Sequence, residues 1–313
     1  MVKDGATLVA QAVASSAIIQ TQYGGVVPEV AAREHTMSIL PVLDECLKRA
    51  NLSLSEIDAI AVTQGPGLLG ALLIGVTFAK SLGVGLGIPV VGVHHLEAHL
   101  YANALVGALN FPAIGLLVSG GHTTLVLWEG HGRLRVLGET KDDAAGEAFD
   151  KGARALGLPY PGGPHIERLA AKAHKESRLS LPVAYLGADS LDFSFSGLKT
   201  ATRETVLAHP GRREDIAWAL QDAVVRALVK TTGRALTQNP VKDLYLAGGV
   251  TANTALREAM MTVAGQHGVR VHIPPAPLCT DNAAMVAALG YYRLQQGHRM
   301  DVEASPNINY PLG

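Results

Sequence analysis

Two periods run through the apolar positions of this chain. Short runs bounded by Gly, Pro or charge read as strands at 6–15, 57–63 and 88–93, and again at 113–118, 123–128, 134–139, 241–247 and 269–273. Between them apolar residues recur at helical spacing. The first such stretch is 31–50, with Met37, Leu40, Leu43 and Leu47 on one stripe; the others are 68–82, 146–156, 166–175, 213–237, 253–266 and 281–296. The strand at 6–15 opens the chain with no element before it. Residues 22–29 form a turn-rich connection, Ser53 or Ser55 is placed to cap a short piece ahead of the second strand, and 176–205 read as irregular. Strand–helix alternation up to residue 93 predicts a mostly parallel sheet with helices on its faces. From Pro112 onward three strands follow one another across tight turns, Gly120-Gly121 and Gly130 to Gly132, so antiparallel neighbours are expected there.

A chain of 313 residues is long for one core and suits two lobes. The expected division joins 1–111 to 284–313 in an N-terminal lobe and leaves 112–283 as a C-terminal lobe. Charged residues are only 17% and the net charge is −1, which excludes a global basic field; contact with RNA has to use local patches or a partner. Cys46 and Cys279 are too few and too far apart for a disulfide framework, so the cytoplasm is the expected compartment. No basic-then-apolar signal segment opens the sequence. Gly, Pro and Lys80 interrupt the longest apolar stretches, so neither a membrane span nor a membrane partner is expected. Many of the 34 glycines stand in pairs between strands and helices, where a backbone has to approach a ligand closely.

The chemistry-bearing stretch is Val93-His94-His95-Leu96-Glu97-Ala98-His99-Leu100. His95 and His99, four apart on a helix, share one face and suit a single metal ion, with Asp281 at a strand-to-helix junction as the candidate third ligand. Alone, the same spacing fits two ordinary histidines on a polar helix face. Val118-Ser119-Gly120-Gly121-His122-Thr123 has two glycines that leave backbone N–H groups free to face an anion, or it is a plain hairpin turn. Gly146-Glu147-Ala148-Phe149-Asp150-Lys151 starts a helix with acids, and Tyr160-Pro161-Gly162-Gly163-Pro164 is a turn without side-chain bulk. Ala247-Gly248-Gly249-Val250-Thr251-Ala252-Asn253 repeats the strand–Gly–Gly–helix design, with Asn253 as an N-cap or a donor to a base or ribose. Such turns at the ends of consecutive strands point to a nucleotide cleft between lobes.

Together these motifs, in this order, resemble the tRNA threonylcarbamoyladenosine transferase (TsaD) family, once labelled O-sialoglycoprotein endopeptidases. The resemblance runs from about residue 5 onward. It also includes Gly24-Gly25-Val26-Val27-Pro28-Glu29 with Arg33 and His35, Phe193-Ser194-Phe195-Ser196-Gly197-Leu198-Lys199, and Cys279-Thr280-Asp281-Asn282. It implies a two-lobed α/β fold of the actin-like ATPase (ASKHA) type. The implied reaction moves a threonylcarbamoyl group from threonylcarbamoyl-AMP to the exocyclic amine of the adenosine just 3′ of the anticodon, in tRNAs reading codons that begin with A. By the same resemblance His95, His99 and Asp281 hold one divalent metal, Fe(2+) with Zn(2+) as the alternative, which acts as a Lewis acid on the donor. Leu117, Val118, Ser119, Gly120, Gly121, Asp150, Gly163, Glu167 and Asn253 are the implied donor contacts; Glu167 departs mildly from the Asp often found there. Lys199 and Arg203 are expected phosphate contacts for tRNA. The family also implies a degenerate paralogous subunit (TsaB-like) and a P-loop ATPase (TsaE-like) as partners.

One departure stands out. The family opens with an extra strand and an acidic loop close to Gly-Ile-Glu-Thr-Ser-Cys-Asp-Glu-Thr, whereas this sequence begins Met1-Val2-Lys3-Asp4-Gly5. The expectation is an N-terminal lobe short of its first strand, an incomplete or misassigned start, and no catalytic side chains beyond the metal site. The competing reading is a truncated, inactive scaffold subunit of the same tRNA-modification complex. A zinc peptidase needs a Glu directly after the first His, where this chain has Leu96. An actin-like sugar kinase needs a phosphate loop and leaves the histidine pair unexplained.

Overall fold

A computed structural model describes residues 1–15, 27–174 and 179–312. The described chain divides into two compact units, Met1–Leu109 with Asp281–Gly313, and Asn110–Thr280. The second boundary was expected after residue 283; it falls before Asp281 and groups that residue with the two histidines. The reason is local. Asp281 is immediately followed by the Asn282 cap of a helix that packs in the first unit.

The first unit opens with a small antiparallel hairpin, β1 (Val2–Lys3) and β2 (Thr7–Leu8), turning through Asp4 and Gly5 at positive φ. Of the strand expected at 6–15 only Thr7 and Leu8 pair, and β1 precedes them, so the expectation of one long opening strand is corrected. Helix α1 (Pro28–Ala50) starts on proline, whose missing N–H is no loss there, and stops at Asn51 in the left-handed region. The connection expected at 22–29 lies largely outside the described residues. Ser53 and Glu56 then form the anticipated cap: the Ser53 N–H donates to the Glu56 carboxylate at 2.8 Å. Strand β3 (Ile60–Gly65), helix α2 (Leu69–Leu86) and strand β4 (Val90–His94) make a parallel β–α–β unit, with Ile60 opposite Val90 and Thr63 opposite Val93. Glycine and Lys80 do not interrupt α2 as expected. Among the described residues it is the one helix long and apolar enough, by length and composition alone, to cross a membrane. It packs on α1 and β3.

β4 runs directly into the short helix α3 (His95–Tyr101). The last helix, α10 (Ala283–Gln295), lies against β3, β4 and α3. Its Gly290 permits that approach, since a Cβ there would sit 2.3 Å from the Cβ of Ala61. The chain after α10 returns over the same strands. Met300 N–H donates to the Val90 carbonyl (2.7 Å), Asn307 N–H to that of Gln64 (2.8 Å), and Lys80 Nζ to that of Ala304 (2.9 Å).

The second unit is built on a five-stranded sheet in the order β7-β6-β5-β8-β9. Strands β5 (Ala113–Val118), β6 (Thr123–Gly130) and β7 (Arg133–Glu139) are antiparallel; β8 (Asp243–Ala247) and β9 (Arg270–His272) continue from β5 in parallel. All six residues of the central β5 are buried. Helices α4 (Ala145–Ala155), α5 (Gly162–Ala170), α6 (Ser196–Ala208), α7 (Arg213–Gln238), α8 (Thr254–Gln266) and the single turn α9 (Ala276–Cys279) complete the unit. On α7, Ile216, Leu220, Val224 and Leu228 recur every fourth residue and face the core with Phe149 and Met260, each burial contributing about 1.5–3 kcal/mol. The irregular stretch expected over 176–205 is corrected at α6. Asp142 Oδ1 accepts the N–H groups of Phe195 (2.8 Å) and Ser196 (3.2 Å), a long-range cap that starts the helix. The helix expected at 166–175 begins and ends earlier, at 162 and 170, and its expected last residue lies outside the described ones.

Candidate metal centre and glycine-turn site

α3 begins because His94 caps it. The His94 Nδ1 accepts the N–H groups of Leu96 (3.1 Å) and Glu97 (3.3 Å), which leaves Nε2 to donate to the Tyr310 carbonyl at 2.8 Å. Leu96, Glu97, Ala98, His99, Leu100 and Tyr101 are all buried, so the polar helix face that would suit two ordinary histidines is absent. The imidazoles of His95 and His99 meet edge to face with centroids 4.8 Å apart. Asp281 reaches both: its Oδ1 lies 3.6 Å from His95 Nε2 and 3.1 Å from His99 Nε2. The three side chains differ in exposure. His99 is 2% exposed, His95 23% and Asp281 79%, a ligand set open on one side.

The donor set fits a divalent cation. Ligands about 2.1 Å from one ion stand roughly 3.0–3.4 Å from each other in octahedral or tetrahedral arrangement, and one offered atom from each residue lies within 4.8 Å of the others. Both nitrogens of His99 are buried without a hydrogen-bond partner, so its closeness to Asp281 is not an aligned hydrogen bond. Two imidazoles and one carboxylate with an open side suit iron(II) or zinc. The closeness of His99 first, and of His95 as well, holds the Asp281 carboxyl below the usual carboxylate range. That favours the ionised form a metal requires.

In the second unit the expected donor contacts form a connected series. Leu117 and Val118 end β5, and the following turn closes with Ser119 N–H donating to the His122 carbonyl (2.8 Å). Cβ atoms added to Gly120 or Gly121 would meet nothing within 4 Å, so this turn faces open space. Gly146, at the start of α4, butts against it: an added Cβ would stand 2.4 Å from the Ser119 carbonyl. Gly248 does so from the other side, at φ +94°, with Cβ space filled by the Val118 carbonyl at 2.4 Å. Asp150 Oδ1 accepts the Gly162 N–H (2.7 Å) next to Gly163, which is also open. Burial pushes the Asp150 carboxyl above its ordinary value against the pull of that bond. Glu167 Oε1 accepts the Thr254 N–H (2.7 Å), and Asn253 caps α8 through Leu256 N–H (3.0 Å) while its amide donates to Gln221 Oε1 (2.8 Å). Glu167 and Asn253 thus hold neighbouring elements in place. Lys199 and Arg203 are exposed, four apart on α6.

The TsaD family profile, described as tRNA N6-adenosine threonylcarbamoyltransferase, matches residues 7–288. The chain belongs to this family. A tRNA N6-adenosine threonylcarbamoyltransferase of Geobacillus thermodenitrificans is 50% identical over 318 residues, covering 100% of this chain and 92% of its own length. One of Bacillus anthracis is 50% identical over 319 residues, covering 99% and 92%. Among solved structures, component A of the Acidaminococcus fermentans (R)-2-hydroxyglutaryl-CoA dehydratase matches with TM-score 0.54 at 17% identity, over 94% of this chain and 93% of that one. Full-length HypF in its phosphate- and nucleotide-bound form gives TM-score 0.61 at 13% identity, over 82% of this chain and 41% of that one. At such identities the structural likenesses speak for the fold, which is α/β of the actin-like ATPase type. Family membership makes the protein a transferase of tRNA modification.

Two side chains of α3 and its cap are not singled out by the sequence. His94 was passed over because a histidine before a helix is an uncommon cap; its position directly ahead of His95 was the available signal. Glu97, two positions after His95, carries no signal of its own in the sequence. It is locked to Arg293, whose Nη2 donates to its Oε2 at 2.5 Å, 196 positions along the chain.

Proposed function

We propose that this protein transfers the threonylcarbamoyl group of threonylcarbamoyl-AMP to the N6 amine of the adenosine just 3′ of the anticodon, in tRNAs reading codons that begin with A. The observation that carries the reading is the convergence of His95 and His99 with Asp281, 182 positions after His99 in a family-matched chain. In the reaction N6 bonds to the carbamoyl carbon, the bond from that carbon to the phosphate oxygen breaks, and AMP and one proton leave. His95, His99 and Asp281 hold an Fe(2+) or Zn(2+) ion, which supplies Lewis-acid polarisation when bound. The open turns at Ser119-Gly120-Gly121 and Gly163 present backbone to the donor's adenylate, with Asp150, Glu167 and Asn253 shaping the ground beneath it. The presence of all three ligand side chains, placed together, speaks against the scaffold reading.

Lys199 and Arg203 share one face of α6 and suit successive tRNA phosphates. Met37 and Leu40 on α1 and Leu69, Leu73 and Val84 on α2 are exposed, an apolar helical surface fit for a paralogous TsaB-like subunit, with a TsaE-like ATPase as the further partner. Two free cysteines accord with a cytoplasmic protein. The test is label transfer from threonine, bicarbonate and ATP to tRNA by the purified protein together with its partner enzymes. Labelled tRNA is expected; tRNA left unlabelled beside a working control defeats the proposal.

A further inference from the structure

Glu97 stands between the two histidines on α3 but about 200° round the helix from each, on the face turned away from the ligand set. It is 2% exposed, and its second oxygen, Oε1, is buried with no hydrogen-bond partner. Its charge is met by Arg293 alone among the ion pairs of the described residues. Arg293 sits in the last turn of α10, while Asp281 lies just ahead of the first turn of the same helix. At 1.5 Å per residue the two are separated by roughly 15–18 Å. α10 is therefore joined to α3 at two places and on two faces: at its start through Asp281 and the imidazoles, at its end through the ion pair. Two such anchors fix the rotation of α3 about its own axis. The seven-residue helix has few backbone bonds of its own to do so.

The lever is sensitive. An imidazole nitrogen roughly 6 Å from the helix axis moves about 1 Å for a 10° rotation, whereas metal–ligand distances tolerate about 0.2 Å. We infer that the Glu97–Arg293 pair is a positioning device for the metal centre, holding α3 at the rotation where His95 and His99 close on one cation with Asp281. The inference rests on the proposed metal role of those three residues. Glu97 and Arg293 touch neither the ion nor the substrate; they act through the helix that carries the ligands.

The experiment uses the full chain, titrated with Co(2+) by absorption and with Zn(2+) against a competing chelator. Arg293→Met and the isosteric Glu97→Gln are each expected to weaken both cations by about tenfold or more and to change the Co(2+) bands. Arg293→Lys, which keeps the charge but not the fork, recovers part of the loss. Val286→Ala, a core truncation on α10, lowers stability while leaving affinity within about twofold. Folded Arg293→Met and Glu97→Gln proteins with wild-type affinity and spectrum overturn the inference. So does a Val286→Ala protein that loses as much affinity as they do. A His99→Ala protein that binds both cations as tightly as wild type defeats the metal assignment itself, and the inference falls with it.

Discussion

Replacing Gly248 by alanine tests the second unit at its tightest point. Gly248 has φ +94° and ψ 158°, a conformation essentially reserved for glycine, and a side chain held there costs about 1–3 kcal/mol. The new Cβ would stand 2.4 Å from the Val118 carbonyl oxygen and 2.7 Å from its carbon, both backbone of the central strand β5. To restore a 3.0 Å contact the two segments must part by about 0.6 Å, an overpacking of about another 1–3 kcal/mol. The expected loss is therefore roughly 2–6 kcal/mol, a large share of a typical 5–15 kcal/mol. With a urea slope near 2 kcal/mol/M the midpoint falls by about 1–3 M. The only tryptophans, Trp128 and Trp218, both lie in the second unit, so their fluorescence follows its unfolding without a signal from the first. The same displacement reaches Ser119, so donor affinity should fall alongside stability. A Gly248→Ala protein with an unchanged midpoint would refute the steric reasoning.

Alanine at His95, His99 or Asp281 is expected to abolish bound metal, measured as metal per chain after purification; unchanged stoichiometry removes these residues as ligands. Asn253→Ala deletes the α8 cap, worth about 1 kcal/mol, and strips buried Gln221 of its donor, worth about another 1–3 kcal/mol; the tryptophan-monitored midpoint should fall accordingly. For Asp243, burial raises the carboxyl's pKa, but the bonds from His272 (2.6 Å) and Arg270 (3.1 Å) outweigh it, so the folded value lies below the unfolded one. Its stabilisation is thus present above about pH 4 and lost as pH falls through the lower folded value, whereas Asp243→Asn should be weaker at neutral pH and flatter in acid. Equal acid slopes for the two proteins in urea titrations between about pH 3 and 7 would contradict this assignment.

What the sequence disclosed follows from how local each cause is. β5 could be placed at 113–118 because Pro112 and the Gly120-Gly121 pair bracket an apolar run, and α7 to within one residue because its stripe repeats every fourth position. α6 was hidden. Its start carries Ser196 and Gly197 and its body three threonines, poor helix formers, and the cap that rescues it comes from Asp142, 53 positions away. The opening strand failed for the opposite reason: apolar composition was present at 6–15, but only two residues found a partner strand. His95 and His99 were legible from a four-residue spacing, and Asp281 from a strand-to-helix junction taken with the family's motif. The ties that hold these ligands in register, His94 to Tyr310 and Glu97 to Arg293, span about two hundred positions and leave no local trace.

The interruption of the first unit by the second has a consequence for biosynthesis. A ribosome delivers α3 long before α10 and the returning tail, so nascent His95 and His99 wait for their carboxylate while all of Asn110–Thr280 is made. The first unit is begun before the second and completed after it, and its ligand trio can assemble only once the second has been made. A chain that stops just after Thr280 would contain the whole second unit and a histidine pair still lacking its carboxylate.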